Sequence, residues 1–137
     1  MKYLPSTFFP LLVLLLVSQS PQDALRQHSE AAEAQRRAGN FVEAEKEYRA
    51  VLAAGYGQLG KVYSAEKNYQ QAIATLEFAT LYRADSQEVL IDWAIAYCDA
   101  EQYEKTLDPL GKALSANPQS AGAHHMLGKS NFMLGDF

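Results

Sequence analysis

A small polar residue followed by an aromatic one recurs at Asn40-Phe41, Asn68-Tyr69, Gln102-Tyr103 and Asp136-Phe137, and the aromatics stand 28, 34 and 34 residues apart. A step of 34 residues is the length of one helix-turn-helix unit. Such a unit cannot bury its apolar stripe alone and has to stack on a neighbour. Between Ser64 and Leu114 the only glycine is Gly111 and the only proline Pro109, and apolar residues return at three- and four-residue steps. These segments are predicted as helices and the fold class as all-α.

The clearest unit spans residues 53–86, with Tyr56, Leu59, Gly60 and Tyr63 on a first helix and Ala72, Leu76 and Ala79 on a second. The next, 87–120, carries Leu90, Trp93, Ala94 and Tyr97, then Thr106, Leu110, Ala113 and Pro118, with Asn117-Pro118 as a helix stop. An earlier unit, 25–52, has His28, Ala31, Ala32 and Gln35, then Phe41, Ala44, Tyr48 and Val51, and suits a capping repeat. A partial unit, 121–137, shows Leu127 and Gly128. The small residues at Gly60 and Ala94 are expected to let paired helices approach closely, while large ones such as Tyr63 and Leu76 fill the space between layers.

These positions resemble the tetratricopeptide repeat family, whose unit runs Trp-x2-Leu-Gly-x2-Tyr, then Ala-x3-Phe, a further Ala and a closing Pro. The resemblance covers residues 25–137 and is strongest in 53–86, where Ala84 stands in place of the proline. It implies a right-handed α-solenoid of about three and a half repeats that binds proteins or peptides. The step of 28 rather than 34 leaves the first unit about six residues short. A break is therefore predicted between residues 52 and 58, with Ala53-Ala54-Gly55 as the connection and the next helix beginning near Tyr56 to Gln58. The fourth unit stops where its second helix should start, as in a fragment. Its apolar residues Leu127, Phe132, Met133, Leu134 and Phe137 leave a surface through which the last helix could self-associate.

Ahead of the repeats, Met1 and Lys2 precede Phe8 to Val17, an apolar run interrupted only by Pro10 and followed by Ser18-Gln19-Ser20. Residues 1–20 are predicted as an export signal, or as a membrane anchor through residues 4–17 if uncleaved, with 21–24 as a linker. A 14-residue run is short for a span, which needs about 20 residues. The expected location is periplasmic or secreted, with anchoring to the inner membrane as the variant.

Lys2 is the single charge in the first twenty residues, which leaves 11 basic against 16 acidic side chains, a net of about −5. With the bases dispersed apart from Arg36-Arg37, a phosphate-tracking surface is disfavoured and no nucleic-acid partner is expected. Cys98 is the one cysteine, so it has no disulfide partner and no zinc or redox spacing. Residues 55–61, Gly-Tyr-Gly-Gln-Leu-Gly-Lys, match both G-x-G-x-x-G and the start of a phosphate loop. Both motifs need a preceding strand, whereas Val42 to Leu52 reads as helix, and Val62 stands where a phosphate loop has Ser or Thr. Adjacent His124 and His125 point about 100° apart on a helix and cannot share a metal. The zinc-protease H-E-x-x-H and hydrolase G-x-S-x-G patterns are absent. No catalytic residue, metal or cofactor is assigned.

The resemblance implies a concave groove lined by first helices. Carried over, its residues are Arg26, Ser29, Glu33, Lys61, Ile91, Ile95, Cys98, Asp99, His125 and Lys129. An aliphatic centre at Ile91 and Ile95 suits an extended or helical peptide. The family's Lys and Asn clamp for a terminal carboxylate is not matched, because Ser29 and Glu33 occupy the clamp positions of the first unit. The expected function is a non-catalytic interaction scaffold. The alternative is the front part of a larger envelope enzyme or assembly factor whose catalytic domain lies beyond Phe137.

Overall fold

The computed structural model describes residues 20–135, all of whose regular structure is helical. The predicted signal or anchor, apart from Ser20, and the Asp136-Phe137 pair lie outside the described residues. Six helices follow in order: α1 (Pro21–Arg37), α2 (Phe41–Ala65), α3 (Tyr69–Thr80), α4 (Gln87–Asp99), α5 (Leu107–Ala116) and α6 (Ala121–Leu134). A 3-10 turn, Tyr103–Thr106, leads into α5. Pro109 explains that turn, because it cannot donate to the carbonyl four residues back and so belongs in the first turn of an α-helix.

The repeat has a backbone counterpart. Gly39, Lys67, Glu101 and Gly135 are the four residues with positive φ among those described, and they fall at the same steps of 28, 34 and 34. At each of the first three, the next amide reaches back to the helix it leaves: Asn40 to the Gln35 carbonyl at 2.9 Å, Asn68 to Tyr63 at 2.8 Å and Gln102 to Tyr97 at 2.9 Å. A left-handed residue followed by such a bond closes the orphan carbonyls of a helix end. The chain then turns sharply into the next helix, led by Phe41, Tyr69 or Tyr103.

Two expectations are corrected. Residues 21–24, predicted as a linker, form the first turn of α1. Ser20 caps that turn reciprocally with Asp23, and Pro21 sits where a missing N–H costs nothing. The predicted break at residues 52–58 does not occur either: α2 runs unbroken through Ala53-Ala54-Gly55 for 25 residues. Ending a helix orphans four carbonyls and starting another orphans four amides. Between Arg49 and Tyr63 no Ser, Thr, Asn, Asp or Pro is present to cap new helix ends, so helix continues through Gly55 and Gly57 despite their low propensity.

The welded helix serves two neighbours with different faces. In its first half Glu47 meets His28 and Tyr48 meets Glu33, both on α1. In its second half Gly60 packs on Leu76 of α3 and Gly57 on Val89 of α4. A Cβ at Gly60 would stand 2.5 Å from Leu76 Cγ, so no larger residue fits without movement. From there each helix packs on its sequence neighbours, α3 on α4, α4 on α5 and α5 on α6, while α2 also meets α4 and α4 meets α6. One continuous core results, with Leu76, Leu90, Trp93, Ala94, Leu110, Ala113, Ala123 and Met126 buried. Among the described residues, α1 packs on α2 alone.

Candidate interaction surface

Glycine and alanine positions bring α2, α4 and α6 side by side, and this places the residues expected to line the groove. Gly57 accepts Val89 at 3.4 Å, measured to the Cβ it lacks, and Gly122 of α6 receives Ile91 Cδ1 at 3.1 Å in the same sense. Ile91 and Ile95 are half-buried against the core, so they form the floor between these helices rather than free knobs. Asp99, His125 and Lys129 are exposed along the same two helices.

Lys61 is not free for a partner. Its ammonium lies 2.5 Å from Glu88 Oε1 and 3.1 Å from Asp92 Oδ2, bridging α2 to α4. Partial burial pulls Lys61 down, but the two carboxylates outweigh it and hold the ammonium above its ordinary value. Burial pushes Asp92 up, and the nearby Lys61 offsets that only in part. Asp92 thus carries a half-desolvated carboxyl at the base of the surface. Neither Glu88 nor Asp92 was among the groove residues expected from the sequence. Their i,i+4 placement on one face of α4 was the available signal.

Cys98 is corrected. Only 5% of it is exposed, and its Sγ lies 3.6 Å from Ser130 Oγ on α6. Ser130 donates to the Met126 carbonyl at 3.0 Å, which leaves the thiol as donor to the serine oxygen. Cys98 therefore pins α4 to α6 from inside instead of facing a partner.

The three residues on α1 sit apart from the rest. Arg26 and Ser29 are exposed, and Arg26 pairs along its own helix with Asp23 at 3.4 Å and Glu30 at 3.9 Å. Glu33 accepts from Arg36 at 2.8 Å and from the Tyr48 hydroxyl, which together hold its carboxyl down to about 2. Because α1 does not touch α4, Arg26, Ser29 and Glu33 do not continue the surface built by α4 and α6. Instead α1 faces α4 across a narrow cleft of about 80 Å³ lined by Ala24, His28, Gly57 and Val89. A wider cleft of about 630 Å³ lies beside it, between α2 and the turn after α3, lined by His28, Arg49, Tyr82 and Arg83. None of these four is an expected groove residue.

The tempting motifs take structural roles. Residues 55–61 lie in the middle of α2, so no helix N-terminus is present there to hold phosphate. His124 donates through Nε2 to the Pro118 carbonyl at 2.8 Å, and both His124 and His125 are exposed. Among the described residues no group of three or more His, Cys, Asp or Glu side chains is placed to hold a metal ion, and no helix is long and apolar enough to cross a membrane. No protein-family model matches this chain, and no curated protein matches it.

Proposed function

We propose that this chain is a tetratricopeptide-type interaction scaffold: a right-handed solenoid of helix pairs that binds a peptide or protein segment and performs no chemistry of its own. The observation that carries the reading is the set of left-handed turn residues at 39, 67, 101 and 135, which mark the end of one helix at the repeat's own steps. The close fit of Gly60 on Leu76 supports it, since the alternation of small and large residues leads one to expect paired helices to approach closely at Gly60.

The binding face is the α4–α6 surface, with Ile91 and Ile95 as an apolar floor and Asp99, His125 and Lys129 as the polar rim. A mixed rim of one carboxylate, one imidazole and one ammonium around an aliphatic floor suits a peptide of balanced charge better than a polyanion. The apolar run Phe8 to Val17 favours export to the envelope or beyond, as a cleaved signal or as an anchor.

Substituting Ile91 or Ile95 would disturb the packing of α4 on α6 and confound a binding assay. The cleaner variant reverses the exposed rim: Asp99→Lys, His125→Asp and Lys129→Glu together. In capture from envelope extract, the full chain should retain a partner that the triple variant loses while its helical content stays unchanged. Capture that is indifferent to the rim, or a folded chain that captures nothing, would contradict the proposal.

A further inference from the structure

The cleft of about 630 Å³ beside α1 is built by three separate segments: α1 contributes His28, the first half of α2 contributes Glu45 and Arg49, and the turn between α3 and α4 contributes Tyr82, Arg83 and Asp85. That volume falls within the range of about 300–1,000 Å³ usual for small-ligand sites. None of these residues belongs to the α4–α6 surface. Along the walls Lys46, Arg49 and Arg83 are matched by Glu45, Glu47 and Asp85, so basic and acidic side chains are equal in number. Such a cleft favours neither an anion nor a cation alone. It favours a ligand that carries both signs.

The ion pairs inside the cleft leave bonding capacity of both signs. Arg49 reaches Glu45 Oε1 through Nε at 2.9 Å, and Arg83 reaches Asp85 Oδ1 through Nε at 3.5 Å. Each pair uses one nitrogen of the guanidinium and one oxygen of the carboxylate. Among the described residues, the Nη groups of both arginines and the second oxygens of both carboxylates have no further side-chain partner. A guanidinium carries five N–H donors and a carboxylate accepts at two oxygens, so neither pair has to break for a ligand to join it. The walls are already ordered. His28 Nδ1 is bonded to Glu47 at 2.5 Å, which ties α1 to α2, and the Tyr82 ring is stacked on Tyr56 at 5.7 Å with Phe78 edge-on at 6.1 Å. Groups fixed beforehand cost little further entropy when a ligand arrives.

We propose that this cleft binds a small zwitterion of the α-amino-acid type with an apolar side chain. The Nη groups of Arg49 and Arg83 hold its carboxylate, Glu45 and Asp85 hold its ammonium, and its side chain lies against Tyr82 and Val42. Guanidinium-to-carboxylate bonds are short and directional, which fixes the ligand's orientation. A polyanion would set excess negative charge beside Glu45, Glu47 and Asp85, and a simple amine would leave the Nη groups of both arginines unused.

Titration of the full chain with L-phenylalanine, followed by backbone amide NMR, tests the proposal. Shift changes should saturate and should gather at residues 45–50 and 82–86. Phenylpropionate, which lacks the ammonium, and phenethylamine, which lacks the carboxylate, should each bind about tenfold more weakly, the loss expected when a hydrogen bond to a charged group is removed. Arg49→Gln and Arg83→Gln should each weaken phenylalanine binding by about the same factor. Both arginine side chains are half-exposed, so helical content should be unchanged in either variant. No saturable shifts, shifts that gather away from the cleft, phenylpropionate binding as tightly as phenylalanine, or binding indifferent to both arginines would overturn the proposal.

Discussion

Gly60 and Gly128 hold the same place in the repeat, each preceded by a leucine, yet the structure gives them opposite surroundings. A methyl group at Gly60 would sit 2.5 and 2.8 Å from Leu76 Cγ and Cδ2, and Leu76 is only 1% exposed, so the whole side chain or the α2–α3 spacing has to shift. At Gly128 nothing lies within 4 Å. Replacing glycine by alanine in a helix gains about 1 kcal/mol. Overpacking a filled core costs about 1–3 kcal/mol, and these contact distances argue for the upper end. Gly60→Ala should therefore destabilise by about 2 kcal/mol, whereas Gly128→Ala should stabilise by about 1 kcal/mol. For a chain of this size that is a fall of roughly 8 °C against a rise of roughly 4 °C in Tm. Thermal and urea unfolding followed by circular dichroism would measure both. Leu76→Val should recover part of the Gly60→Ala loss, because the two positions share one space. If Gly60→Ala were neutral or stabilising, or if Leu76→Val simply added its own cost, α2 and α3 would not approach as described.

Ser20→Ala should remove the reciprocal cap of α1 and cost about 1 kcal/mol. Thermal unfolding of the Ser20→Ala variant would measure that loss. Lys67→Gly and Glu101→Gly should each stabilise by about 0.5–1 kcal/mol, since both residues hold φ near +60°; relief of the left-handed penalty outweighs the added backbone entropy. Glu33 has a carboxyl pKa held below its ordinary value, so its contribution to stability is complete above that value and lost as pH falls toward about 2. Carboxyl-detected NMR should find Glu33 still ionised at pH 3, and Arg36→Gln or Tyr48→Phe should each raise its midpoint. An unshifted midpoint in both variants would remove those two partners as the cause.

The turns were legible in the sequence because a tight helix exit demands particular neighbours, and the polar-aromatic pairs report them at the right steps. Their chemistry was less legible. Lys67 and Glu101 occupy a backbone conformation usually given to glycine, so only the spacing and not the residue type betrayed them. The close fit at Gly60 was readable from the alternation of small and large residues. Continuity of α2 was not, since the 28-residue step pointed to a break, and the deciding factor is the orphaned backbone groups that a break would leave. Ser20 and Asp23 carried a readable capping signal, but next to an apolar run Ser20 was assigned to the signal and Asp23 to a linker. On the candidate surface, Ile91 and Ile95 came from the resemblance, and both are half-buried against the core. The burial of Cys98 and the capture of Lys61 by Glu88 and Asp92 depend on how α2, α4 and α6 are set against one another, which no local pattern encodes.

The central structural claim is that residues 41–65 form one unbroken helix where a turn was expected, and backbone NMR secondary shifts over these residues test it most directly. An unbroken run of helical Cα shifts through Ala53, Ala54 and Gly55, with slow amide exchange from Ala53 to Leu59, is the outcome this account requires. Coil-like shifts and fast exchange at residues 53–57 would show two separate helices and contradict it.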